Sequence, residues 1–255
     1  MLQHSDISLT ALPGIPMIKP GDDLVAIIAG ALEQTELKLQ SHDVLVVTSK
    51  IISKSEGRFV RLADVQPGEE ALRHAIITGK DPRIVELVLR ESQEISREGV
   101  NTLIVRHKLG FVSANAGIDQ SNLNGGDDQV LLLPVDPDAS ARAISEGLKA
   151  KTGVEIGIVI SDSHGRPFRM GNVGVAIGAA GLPALRDLRG QPDLFGRTLK
   201  YTLQAFADMI ASAAGLVSGE GAEGRPVVLV RGLAFSEGAG QASDLIRPIR
   251  QDLYR

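Results

Sequence analysis

VEIGIVISDSHGRPFRMGNVGVAIGAAGL, residues 154–182, holds two apolar runs with a polar stretch between them. The first, 154–161, is rich in β-branched residues and reads as a buried strand that delivers Asp162 at its end. The second, 172–182, alternates small and apolar residues and reads as another strand. Two strands in direct succession break the strand–helix–strand period of a doubly wound sheet. The rest of the chain also mixes strands and helices without that period, which points to an α+β fold with mixed sheets and packed helices.

Working outward, DVLVVTSK (43–50) is a short β-branched run, hence a buried strand. Before it, Leu24, Ile27, Ile28, Ala31 and Leu32 recur at helical spacing, with Asp22 or Asp23 placed to cap the first turn. Residues 81–95 open as a helix, with Asp81 at the cap and Pro82 at the first position. Residues 101–119 read as two strands joined around Gly110, the second ending at Asp119, and 129–134 as a further buried strand. A helix over 138–153 takes Asp138 as cap and Gly153 as stop. Leu199, Leu203, Phe206, Ile210, Ala213 and Val217 mark one face of a helix beginning near Thr198. RPVVLVRG (225–232) is the last strand, and the tail over about 236–255 reads as loop.

Composition excludes several classes of function. A net charge of −4 supplies no basic field for nucleic acid or an anionic membrane surface. Aromatic residues make up only 3% and tryptophan is absent, which disfavours a base-stacking platform. With no cysteine there is no thiolate nucleophile or sulfur-ligated metal, so any metal must sit on oxygen or imidazole. No run approaches the roughly eighteen apolar residues of a membrane span. The N-terminus carries no basic-then-apolar leader, so a cytoplasmic protein is expected.

Asp162, Ser163 and His164 stand side by side, which suggests a hydrolase triad. Adjacent side chains diverge, however, and the G-x-S-x-G elbow is missing, so the triad is set aside. Asp119 and Glu220 also lie at the ends of elements, and oxygen-only carboxylate sets suit Mg²⁺ or Mn²⁺ beside phosphate. GEGAEG (219–224) is a glycine-rich loop whose amides can curl around phosphate oxygens, although it is neither a P-loop nor a Rossmann loop. Lys54 could face that phosphate, and Arg166 and Arg169 could hold an anionic substrate group. His164 has no partner histidine at ligand spacing and is expected either behind the ligands, supporting one of them, or in solvent.

Taken together the segments resemble the coenzyme F420-0:L-glutamate ligase family, the gamma-glutamyl ligases. The resemblance runs in order through PGIPMIKPGDDL, DVLVVTSKIISKSEGR, NAGIDQSN, LLLPVDPDASA, GIVISDSHGRPFRMGNVGVAIG, DLFGRTL and GEGAEGRPVVLVRGL. It implies a gamma-glutamyl ligase-like fold of two closely associated subdomains, a single ligase domain over 1–255 and a homodimer. It further implies GTP as co-substrate with Mn²⁺ or Mg²⁺, and it admits a monovalent cation such as K⁺. Carried over by motif, Asp119, Asp162 and Glu220 become metal ligands, with Ser163 at the same site. Nucleotide contacts fall on Gly14, Ile15, Pro16 and Met17, on Thr48, Ser49, Lys54 and Asn122, and on Ser218, Gly219, Gly221, Ala222, Glu223, Gly224 and Arg225.

The activity so implied joins L-glutamate to the lactyl carboxylate of the deazaflavin precursor through an acyl phosphate, then extends a γ-linked tail. No nucleophilic side chain is implied, and Lys54 takes an electrostatic role. The sequence departs from the usual pattern at Ser163, where threonine is frequent, at His164, where asparagine is frequent, and in GEGAEG itself. Two other readings stand beside this one: a nucleotide-binding or sensory module of the same fold, and a ligase for another acidic acceptor. Some members carry a C-terminal nitroreductase-like domain, so a stand-alone enzyme and one half of a fusion are both expected forms.

Overall fold

A computed structural model describes residues 6–122, 126–236, 238 and 240–252. In chain order the elements begin with β1 (Ser8–Ala11), α1 (Leu24–Gln34), β2 (Val44–Thr48), α2 (Ser49–Ser55) and β3 (Phe59–Arg61). Next come α3 (Glu69–Thr78), α4 (Pro82–Arg90), β4 (Ser92–Gly99), β5 (Thr102–His107), β6 (Val112–Ala114) and β7 (Gln129–Leu131). The chain continues with α5 (Pro137–Thr152), β8 (Gly157–Arg166), β9 (Arg169–Ala180), β10 (Leu185–Asp187), β11 (Leu203–Ala205), α6 (Phe206–Ser218) and β12 (Val227–Arg231). The fold is α+β with mixed sheets, as the opening stretch implies.

A five-stranded sheet of order β1-β12-β2-β8-β9 forms the centre, with β2–β8 its parallel pair and the other pairs antiparallel. Successive strand residues point to opposite faces, so an apolar run fills two cores at once. Leu45, Val47, Ile158 and Ile160 pack on one face with Leu24, Ile28 and Leu32 of α1 and Ile144 and Leu148 of α5. Val44, Val46, Val159 and Val228 pack on the other with Phe206, Ile210 and Ala214 of α6. Each aliphatic side chain so buried stabilises the fold by about 1.5–3 kcal/mol.

A second region has its own core. The antiparallel sheet β4-β5-β6 packs with α3 and α4 through Ala71, Val85, Val88, Leu103 and Val105. The pair β3-β7 closes a smaller cluster around Leu62, Leu87 and Val130.

A bulge shapes the β8–β9 hairpin. Ile160 pairs with Gly178 but Ser161 pairs with Ala176, leaving Ile177 as the extra residue on β9. The bulge turns Gly174 and Gly178 to different helices. A Cβ at Gly174 would stand 2.5 Å from the Ala211 carbonyl oxygen of α6, and one at Gly178 would stand 2.4 Å from that of Pro137 in α5. Both helices approach this strand only because these positions lack a side chain. Backbone N–H groups beside the bulge find carboxylates: Ala176 donates to Asp208 (2.9 Å) and Ala179 donates to Asp138 (2.8 Å).

Several sequence expectations need correction. Asp136, not Asp138, caps α5, accepting from Ala139 N–H at 2.9 Å, while the Asp138 carboxylate faces β9. The helix expected over 81–95 ends at Arg90, because the next residues pair with β5. The helix expected from Thr198 begins at Phe206, since Leu203–Ala205 pairs with β10 instead. Asp162 lies inside β8, which runs on to Arg166, and Asp119 forms a single bridge to Leu131 beyond β6. The tail carries two 3-10 turns, Ala242–Leu245 and Ile249–Gln251, and its residues 237, 239 and 253–255 lie outside the described residues. No helix among the described residues is long and apolar enough to cross a membrane.

Candidate functional site

Parallel pairing of Thr48 with Ser161 brings the carboxyl end of β2 against the middle of β8. The chain leaving β2 turns at once into α2, so Ser49 sits beside the next residue of β8. Ser49 is buried, and its Oγ donates to Asp162 Oδ1 at 2.8 Å. Pro226, at the exit of the glycine-rich loop, accepts from Thr48 N–H at 2.9 Å, and Leu12 N–H donates to Val227 O at 2.9 Å. The segment 14–17 therefore leaves β1 at the sheet end where the loop 218–225 enters β12. Gly14 has φ +80°, a left-handed turn; Ile15 packs on the core, while Met17 is exposed.

Two lysines of α2 hold the loop that carries Asp119. Lys50 Nζ lies 2.7 Å from Asp119 Oδ2 and donates to Ser121 Oγ at 2.9 Å. Lys54, buried, donates to the Asn122 carbonyl at 3.0 Å, and Asn122 Nδ2 reaches Gly221 O at 3.3 Å. Burial, then the neighbouring Lys50, push the Lys54 ammonium below the ordinary lysine range. Burial works to raise the Asp119 carboxyl, but hydrogen bonds from Lys50 and Ser121 outweigh it and leave the group below the usual carboxylate range.

Asp162 and Ser163 project to opposite faces of β8, as neighbours on a strand must. Ser163 Oγ donates to Glu220 Oε1 at 2.7 Å. On the other face His164 Nε2 donates to Asp162 Oδ2 at 3.0 Å. The His164 ring packs on Phe111, at 4.9 Å between centroids, and Phe111 stacks in parallel on His107 at 5.2 Å. His107 is buried and accepts from Leu109 N–H at Nδ1, and its Nε2 has no hydrogen-bond partner among the described residues. Burial first, then Lys108 and Arg58, push its pKa down to about 4, so the ring is neutral.

Thr48, Ser49, Lys54, Asn122 and the loop from Ser218 to Arg225 thus meet at one rim, with Asp119, Asp162, Ser163 and Glu220 around it. The three carboxylates do not converge on one point. Among the described residues no three His, Asp or Glu side chains stand together as a metal cage. Each carboxylate instead has a protein partner: Lys50, Ser49 with His164, or Ser163. Glu223 folds back into the loop and accepts from Gly221 N–H at 2.8 Å, and Arg225 donates to Val217 O at 3.4 Å.

Arg166 and Arg169 lie elsewhere. They pair with each other at the tip of the β8–β9 hairpin. At about 3.3 Å per residue, that is roughly 13 Å along the strand from Asp162. Arg166 donates to the carbonyls of Met170 and Gly171, which closes the hairpin turn.

The family description F420-0:Gamma-glutamyl ligase matches residues 14–232, a span that contains every residue of this rim. The chain belongs to that family. It is 45% identical over 242 residues to the coenzyme F420:L-glutamate ligase of Methanopyrus kandleri, covering 93% of each chain. The Methanothermobacter thermautotrophicus protein of the same name is 43% identical over 251 residues, covering 98% of this chain and 99% of that one. The Methanocaldococcus jannaschii protein, also of that name, is 43% identical over 243 residues, covering 94% of each.

Sequence reasoning missed one member of the rim, Lys50, whose contact joins α2 to the Asp119 loop far along the chain, a meeting that no local pattern announces. His164 takes the place behind the ligands that the sequence offers it, because residues two apart share a strand face and its ring reaches the Asp162 carboxylate.

Proposed function

We propose that this protein is a GTP- and divalent-cation-dependent ligase that attaches L-glutamate to the lactyl carboxylate of coenzyme F420-0 and extends a γ-linked glutamate tail. The observation that carries the reading is the convergence of the glycine-rich loop, the β2–α2 turn and Lys54 at the carboxyl end of the parallel pair. Ligands of open sheets bind where strand ends meet such turns. The loop's backbone amides suit phosphate oxygens, with Lys50 and Lys54 supplying positive charge beside them.

Amide formation requires an activated acyl group, because oxide is a poor leaving group. An oxygen of the acceptor carboxylate attacks the γ-phosphorus of GTP, the bond from that phosphorus to the β-phosphate oxygen breaks, and GDP leaves. The glutamate amine then attacks the acyl carbon, the carbon–oxygen bond to phosphate breaks, and the amine proton passes to solvent. The protein's part is positioning and electrostatics. Asp119, Asp162, Ser163 and Glu220 offer hard oxygen donors of the kind Mg²⁺ or Mn²⁺ takes, and would hold the ion after turning from their present partners. That ion would neutralise charge on the phosphates. A monovalent cation such as K⁺ belongs to the same proposal.

We also propose a homodimer. Phe168 and Met170 at the β8–β9 tip, and Leu194 and Phe195 between β10 and β11, are almost wholly exposed. Apolar surface of that kind marks a protein contact. The test of the ligase reading is incubation with GTP, Mn²⁺, L-glutamate and F420-0. GDP release and a mass gain of one glutamate residue are expected, both lost on chelation of the metal. GTP binding without turnover would favour the nucleotide-binding module instead.

A further inference from the structure

Phe111 separates the rim from a second space. A cleft of about 410 Å³ lies between the β5–β6 turn and the segment from Leu245 to Asp252. This size falls in the range of small-molecule sites. Phe111 and Val112 form one wall and Ile246 and Pro248 the other, while Arg106 and Arg247 bring two positive charges into it against the one carboxylate of Asp252. Val112 keeps 45% of its surface exposed, so apolar area in this wall still faces water. Arg106 is tethered to Glu94 at 3.2 Å, while the Arg247 side chain is exposed and donates to Gln251 O at 3.5 Å.

The wall is built rather than loose. Phe111 is clamped between His107 and His164, and His164 in turn holds Asp162. One ring therefore borders both the cleft and the side chain that grips a carboxylate of the reaction rim. The far wall is held as well, since Asp138 accepts from Ala242 N–H (2.7 Å) and Ser243 N–H (3.3 Å), just before Ile246.

We infer that this cleft takes the acceptor of the ligation, a planar heteroaromatic ring carrying an anionic arm. The ring lies against Phe111 and Val112 and opposite Ile246 and Pro248. The Arg247 and Arg106 guanidiniums, which both stack on aromatic planes and bond phosphate oxygens, meet the arm's phosphodiester. The arm then runs past Phe111 toward His164 and Asp162, where its carboxylate reacts. The identity of the acceptor rests on the ligase reading, whereas the cleft's shape and charge do not.

The experiment follows the intrinsic fluorescence of F420-0 as it is titrated with wild type, Arg247→Glu, Arg247→Lys and Val112→Asp. GTP affinity and melting temperature are measured on each. Both altered positions are exposed, so the folded protein survives the changes. Arg247→Glu and Val112→Asp are expected to weaken F420-0 binding at least tenfold, Arg247→Lys less than Arg247→Glu, with GTP affinity unchanged. Unchanged F420-0 affinity in both Arg247→Glu and Val112→Asp overturns the proposal, as does a wild type that binds no F420-0. Binding that is lost in the variants while the wild type shows no glutamylation sustains the cleft and sinks the ligase reading. Glutamylation by the variants at wild-type acceptor KM does the reverse.

Discussion

Asp138 and Asp136 stand two residues apart at the start of α5, and the sequence and the structure assign them opposite importance. Read as a helix cap, Asp138 would contribute about 1 kcal/mol, and Asp136 would be an ordinary loop residue. In the structure the cap is Asp136, an exposed residue whose carboxylate accepts from the Ala139 N–H at the helix start. Asp138 instead accepts from Ala179 and Ala242, residues that are 1% and 3% exposed. Asp138→Ala strands both buried donors at about 1–3 kcal/mol each.

Water reaching Ala242 as the tail loosens offsets part of that cost, which leaves a loss of about 3 kcal/mol for Asp138→Ala against about 1 for Asp136→Ala. For a chain of this size, 1 kcal/mol moves the melting temperature by about 2–4 °C. Asp138→Ala should therefore melt roughly 6–12 °C lower, and Asp136→Ala by no more than a third of that. Asp138→Asn keeps an acceptor oxygen and should fall between the two. Thermal melts at neutral pH decide the ranking, and limited proteolysis adds a second readout: cleavage within 241–252 should accelerate for Asp138→Ala alone. Equal losses for the two alanine variants, or a larger one for Asp136→Ala, would refute the reasoning.

Asp162→Asn should abolish GTP-dependent glutamylation while melting within a few degrees of wild type; wild-type turnover would remove Asp162 from the site. Lys50→Met should free the loop at 119–122, read as faster amide exchange at Ser121. Its stability cost should stay below about 1 kcal/mol, because this ion pair is roughly one-third exposed. Unchanged exchange there would mean that Lys50 does not hold the loop. His107 is kept neutral, with a pKa near 4 in the fold against about 6.5 unfolded. The unfolded chain thus binds more protons between these values, so stability falls as pH drops from about 6.5 to about 4, by roughly 3 kcal/mol from this residue. His107→Phe should flatten that slope in urea melts, and equal slopes would show that the group does not drive it.

The elements legible in the sequence carry their signals locally. Asp23 caps α1, Asp81 with Pro82 opens α4, and Gly153 stops α5 in the left-handed conformation, each at its expected place. Runs 43–50 and 225–232 become the central strands β2 and β12, because continuous β-branched stretches suit a strand buried on both faces. Legibility ended where an apolar spacing fitted two structures. Leu199 and Leu203 keep helical spacing with Phe206, yet residues 203–205 find a partner in β10 that no local pattern announces.

The motifs of the rim could be named in order from the chain alone, and so could their chemistry: carboxylates, a glycine-rich loop and a lysine, whose burial only the structure shows. Their grouping could not. Which face Asp162 takes depends on the register of β8 against β2 and β9, and a one-residue shift would turn it to the other side. The bulge at Ile177 sends Gly178 to α5 and Gly174 to α6, and so sets where both helices rest. His164 gains its role from Phe111, which arrives from a different sheet. Local propensity therefore determined the elements and the kinds of side chain available, because it acts over a few residues. Tertiary structure alone decided which carboxylate meets which partner, because register, strand alternation and packing join segments that the sequence keeps far apart.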